Sequence, residues 1–83
     1  MNVKIKITME AARRNAGYSQ NDAAKLMGVH PQTISAWEKD STNLSIAEVN
    51  KIASIYKLPT DMIFFGNRNE FIRKLRERQL VTE

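Results

Sequence analysis

The side chains with chemistry to offer lie in the stretch PQTISAWEK, residues 31–39. Wound as a helix, Ile34 and Trp37 fall on one side and Gln32, Ser35, Ala36 and Lys39 on the other, with Thr33 at the edge. The second face has no acidic residue and no large apolar group. A Gln amide can pair bidentately with the adenine edge in a major groove, Ser and Thr hydroxyls can bond several bases, and a Thr methyl can meet a thymine methyl. Ala36 could touch a base edge but reads little, and Pro31 has no N–H to give, so direct readout would rest on Gln32, Thr33 and Ser35. The plain alternative is a solvated helix face, the ordinary state of an amphipathic helix.

Two short helices must position that face. Ser19 is a candidate N-cap, with Asp22 three residues on as a capping-box partner. Ala23, Ala24 and Met27 supply an inward stripe. Gly28 can take a positive φ and end the first helix without a Cβ penalty. Val29 can plug the angle between the helices, and Pro31 stands where a helix tolerates proline, in its first turn. Ala24 is small where two helices joined by so short a turn cross. The unit reads as a helix-turn-helix.

Gln20, Ala24, Gly28, Val29, Ile34, Ser35, Trp37 and Glu38 together resemble the Xre family, the Cro/C1-type helix-turn-helix domains similar to lambdoid-phage Cro and repressor. The likeness runs from about Thr8 to Gly66. It implies an all-α, five- or six-helix lambda-repressor-like fold, operator DNA as partner, action as a homodimer, and a recognition helix at about 31–39 in the major groove. It also implies that Gln20, at a helix N-terminus suited to anions, clamps a phosphate and braces Gln32. Three positions depart from the pattern: His30 stands where a Ser or Thr cap is usual, Asp40 where Gly is common, and Leu44 where Pro is common.

Arg13 is a charge on the apolar stripe Met9, Ala12, Arg13, Ala16. Glu38 lies beside Trp37, near the inward side of the third helix. These opposite charges suggest a structural ion pair between the two helices, and the resemblance implies the same pair; it would fix geometry more than add stability. Phosphate contacts are expected from Gln20, from Lys39, Ser41, Thr42 and Asn43 in and after the recognition helix, and from His30, whose other reading is a local cap.

The remaining chain supplies the frame. Residues 1–7, with Val3, Ile5 and Ile7 alternating with Asn2, Lys4 and Lys6, predict an extended arm on the helices or a strand paired with a second subunit. Thr8 can cap a first helix to about Ala16, with Gly17 ending it. Ser45 with Glu48 forms a capping box, and Leu44 with Val49 a staple, for a helix to about Lys57 whose inner face is Ile46, Val49, Ile52, Ala53 and Tyr56. Leu58-Pro59 stops it. Thr60 then predicts a short helix to Gly66. Residues 67–83 predict a C-terminal helix, with Asn69 as cap, and a frayed end. Ile63, Phe64, Phe65, Phe71, Ile72 and Leu75 are the dimer-interface candidates. The expected division is therefore arm 1–7, DNA-binding domain 8–66 and C-terminal helix 67–83.

Composition bounds these readings. Eighty-three residues suffice for one small domain. There is no cysteine, and the single histidine has no partners to complete a metal site. No nucleophile with a neighbouring base, glycine-rich phosphate loop or paired carboxylate site appears, so neither an enzyme nor a cofactor is expected. No apolar run approaches membrane length and no signal peptide is evident, so a cytoplasmic protein of a bacterial or phage-infected cell is expected. The net charge of +4 suits a nucleic acid, although its excess lies in residues 1–14 and 68–83 and the middle is slightly acidic. The leading expectation is sequence-specific duplex DNA binding by a transcriptional regulator, a repressor of phage or mobile-element type. The alternative is a helix-turn-helix module that binds a repressor or toxin partner.

Overall fold

A computed structural model describes residues 6–81 of the chain, with side chains to residue 78. Among the described residues five α-helices form: α1 (Met9–Asn15), α2 (Gln20–Met27), α3 (Pro31–Lys39), α4 (Ile46–Tyr56) and α5 (Arg68–Val81), with a 3₁₀ turn at Thr60–Met62. The architecture is all-α, as the sequence leads one to expect. None of these helices is long and apolar enough to cross a membrane.

Local signals set most of the boundaries. The Thr8 hydroxyl accepts from the Ala11 N–H at 3.1 Å and starts α1. Ser19 and Asp22 form a reciprocal capping box on α2, as do Ser45 and Glu48 on α4. Bonded to the Ser19 N–H and hydroxyl, the Asp22 carboxyl is held below its usual range. Gly28 takes φ +75° and turns the chain from α2 toward α3. Lys57, also left-handed at φ 60°, closes α4 before Pro59 is reached.

The core is one cluster of Met9, Ala12, Ala23, Ala24, Met27, Ile34, Ile52, Ala53, Tyr56 and Ile63. Ala23 and Ala24 let α2 pack closely on α3 and α4. Burying an isoleucine such as Ile34 or Ile52 contributes about 1.5–3 kcal/mol. Val29 and Trp37 pack against the edge of the cluster.

Several expectations are corrected. Ile46 is 81 % exposed rather than an inner-face residue; it opens α4, where the first turn has not yet reached the core. The short helix expected from Thr60 to Gly66 is a single 3₁₀ turn that ends at Met62. A bridge with Ile7 takes the chain from there: the Ile7 N–H donates to the Met62 carbonyl and the Phe64 N–H to the Ile7 carbonyl, both at 2.8 Å. Ile7 and Ile63 thus form a parallel bridge. The partner for the N-terminal pattern lies within the same chain, at residue 7; Val3 and Ile5 lie outside the described residues. Asn67, not Asn69, caps α5, accepting from the Glu70 N–H at 3.1 Å.

Candidate nucleic-acid interface

Helix α3 is held by a charged joint rather than by apolar packing alone. Arg13 Nε donates to Glu38 Oε2 at 2.6 Å, and both side chains are buried. The other carboxylate oxygen, Oε1, accepts from Gln20 Nε2 at 3.0 Å. Arg13 Nη1 donates to the Tyr18 carbonyl at 2.8 Å. Glu38 therefore ties α3 to α1 and to the first residue of α2, and the Arg13 guanidinium fixes the turn between those two helices. A buried pair with this many bonds holds geometry, and cutting one side would leave a buried charge exposed to an apolar surround. The brace expected from Gln20 runs to Glu38 instead of Gln32, because Glu38 offers a buried anionic acceptor.

Below this joint lies the Tyr56 ring, 6.4 Å from the Tyr18 ring by centroids. Its hydroxyl is buried without a hydrogen-bond partner. Burial pushes the phenol up to about 12, the Glu38 carboxylate adds to the rise, and Arg13 opposes it.

With the inner side of α3 so occupied, Gln32, Ala36 and Lys39 are exposed and Thr33 and Ser35 half-buried. The turn before α3 is closed by His30, whose Nδ1 accepts from the Gln32 N–H at 3.0 Å. The ring takes over the work of the usual Ser or Thr cap and remains exposed. Accepting at Nδ1 requires that nitrogen to be unprotonated, which leaves Nε2–H as the outward donor in the neutral ring.

Around α3 the expected phosphate-facing residues separate into two groups. Lys39 at the end of α3, and Thr42 and Asn43 on the loop after it, are exposed. Asp40 organises that loop: its Oδ1 accepts from both the N–H and the hydroxyl of Thr42. These bonds, the hydroxyl's first, hold the Asp40 carboxyl below its usual range. Ser41 is a correction. It is 4 % exposed, because its hydroxyl accepts the Gly66 N–H at 2.8 Å and its own N–H donates to the Gly66 carbonyl at 3.0 Å. The residue serves as a joint within the protein and presents nothing to a ligand.

At the opposite end of the motif, Arg13, Arg14, Gly17, Tyr18, Ser19, Gln20 and Asn21 line an open polar depression at the N-terminus of α2. Arg14 and Asn21 belong to no motif in the sequence. The available clue was the short 16–19 turn, which must bring the end of α1 against the start of α2.

The dimer candidates are also redistributed. Ile63 is 1 % exposed and belongs to the core, since the Ile7 bridge turns it inward. Phe64, Phe65 and Phe71 are half-buried, and Phe64 stacks on Phe71 with centroids 4.4 Å apart. Ile72 and Leu75 remain open at 37 % and 39 % exposure. Among the described residues no cluster of His, Asp or Glu has the makings of a metal site.

Comparison with protein families matches a helix-turn-helix family over residues 9–63, which spans α1 to the close of the 3₁₀ turn. No curated protein matches the chain.

Proposed function

Because the chain belongs to the helix-turn-helix family of Xre, Cro/C1 type, a family of DNA-binding regulatory domains, we propose that it is a sequence-specific repressor that acts as a homodimer on duplex DNA. The observation that carries this reading is the outward side of α3. It is free of acidic groups, polar, accessible, and held against α1 and α2 by the Arg13–Glu38–Gln20 joint. A helix so fixed can enter a major groove as a rigid body, with its register set before contact.

In this reading Gln32, Thr33 and Ser35 meet base edges, and Ala36 lies close enough for van der Waals contact with a thymine methyl. Lys39, Thr42 and Asn43 face the phosphates beyond the helix, and the exposed His30 ring faces those before it. Gln20 keeps its carbonyl oxygen and backbone N–H at the start of α2, and the N–H suits a phosphate. Two subunits would read half-sites about 34–36 Å apart, and a promoter between or beneath them would be occluded. Ile72 and Leu75, with the edges of Phe64, Phe65 and Phe71, provide the apolar surface for the subunit contact. The cellular setting in this reading is a phage or mobile element.

Selection of bound duplexes from a random pool tests this. A two-fold palindrome is the expected product. Gln32→Ala should then relax base preference at one or two positions, and Lys39→Ala should weaken all sequences alike. Enrichment of a single half-site would leave the reader and remove the dimer. A folded protein that enriches nothing would overturn the DNA reading in favour of a protein partner.

A further inference from the structure

Positive charge is concentrated away from the motif. Residues 19–39 balance Lys25 and Lys39 against Asp22 and Glu38. Helix α5 carries Arg68, Arg73, Lys74, Arg76 and Arg78 against Glu70 and Glu77. It therefore carries a net +3, five cations against two carboxylates, and residues 1–14 carry as much, with Lys4, Lys6, Arg13 and Arg14 against Glu10, although Arg13 is committed to Glu38. Phosphate neutralisation and counterion release supply much of the affinity of a protein for a duplex. A reading motif with no net charge leaves that contribution to be made elsewhere.

The root of α5 makes it the place. Asp40, at the end of α3, and Asn67, the cap of α5, form an antiparallel bridge. Asn67 Nδ2 donates to Asp40 Oδ2 at 3.4 Å, and Ser41 and Gly66 exchange the two bonds given above. Phe71 is stacked on Phe64 one turn later, and Arg68 is turned back to Glu10 at 3.4 Å. The helix is thus a fixed extension of the loop that leaves the recognition helix. Past that anchor, residues 72–78 are all exposed. Arg73, Lys74 and Arg76 enter none of the ion pairs among the described residues. Helical spacing sets Arg73 opposite the stripe of Phe71, Ile72 and Leu75, with Lys74 and Arg76 at its two flanks, Lys74 beside Phe71 and Arg76 beside Ile72.

We infer that α5 is a second duplex-contacting element, in which Arg73, Lys74 and Arg76 clamp the phosphate backbone flanking the stretch read by α3 without regard to sequence. This rests on the duplex-DNA reading above. Three phosphates neutralised on each subunit should contribute about 2.7 to the slope of log affinity against log salt.

The test compares the 83-residue chain with the variant Arg73→Gln/Lys74→Gln/Arg76→Gln on the selected palindrome and on a random duplex of the same length. Between about 50 and about 200 mM salt the parent should lose about 40-fold more affinity per subunit than the variant. At low salt the variant should be weaker on both duplexes by the same factor, with base preference unchanged. Glu77→Gln should act the opposite way and tighten both. Circular dichroism confirms that the substituted helix still forms. Equal salt slopes for parent and variant on a palindrome that both bind would overturn the clamp and leave the reader standing. A change in subunit association with no change in slope would overturn it too, and assign α5 to the dimer contact. A parent that binds neither duplex at low salt would overturn the DNA reading and the clamp together.

Discussion

Tyr56 and His30 show how much a single polar atom decides. The Tyr56 hydroxyl is buried with no partner, so Tyr56→Phe removes an unsatisfied group at little loss of packing and should stabilise the fold by up to about 1 kcal/mol. The same burial has a pH signature. The folded phenol titrates at about 12, above its ordinary value of 10.0, so the unfolded chain loses its proton first. The contribution is complete below pH 10.0 and is lost as pH rises from there toward about 12. Urea midpoints on either side of that window should fall further for the parent than for Tyr56→Phe. His30 gives a complementary case. It caps α3 through Nδ1, so His30→Ala should cost about 0.5–2 kcal/mol in a urea titration, whereas His30→Asn, which can accept the same N–H, should cost much less. A finding of equal losses would show that the cap carries no stability.

At the scale of elements, the chain between Pro59 and Asn67 holds the least regular structure and the most consequential. Gly66 has φ +155°, and a Cβ there would lie 2.8 Å from Cζ of Phe64. That ring is itself stacked on Phe71. Gly66→Ala should therefore destabilise the fold by about 1–3 kcal/mol and loosen the root of α5, visible as lost amide protection at Ser41 and Gly66. The caps at Thr8, Ser19 and Ser45, the turn at Gly28 and the inward face of α3 are legible in the sequence because each is decided within four or five neighbouring residues. The 60–66 segment is not, because a bridge to Ile7 decides it from more than fifty residues away. The same holds for Ser41, buried by Gly66, and for Ile63, turned inward by Ile7. The Arg13–Glu38 pair could be suspected from two misplaced charges. That Gln20 completes the carboxylate could not be read from spacing, since it depends on where α2 begins relative to α3 in space.

The whole molecule presents three surfaces with different demands: the polar side of α3, the apolar remnant around Ile72 and Leu75, and the cations of α5. In the homodimer reading the apolar remnant joins subunits. Ile72→Gln/Leu75→Gln should then give a monomer by sedimentation equilibrium with an unchanged circular dichroism spectrum. It should also bind a palindrome only as weakly as a single half-site. A variant that still sediments as a dimer would place the subunit contact elsewhere. Because the substitutions alter no charge, their effect on salt dependence separates association from phosphate binding.

The outward side of α3 has one further property. The hydrogen bonds of the described residues include none from the side chains of Gln32, Thr33 or Ser35, and Ala36 has no polar group. The joint that seats the helix uses Glu38, on the other side. The bonds that seat the helix and the outward side chains are therefore separate. Mutations can drift through the exposed positions 32 and 36 without touching the bonds that seat the helix, much as a key can be recut without reforging its bow. In the duplex-DNA reading, a lineage built on this frame could change its target site at those positions and remain a stable protein at every step.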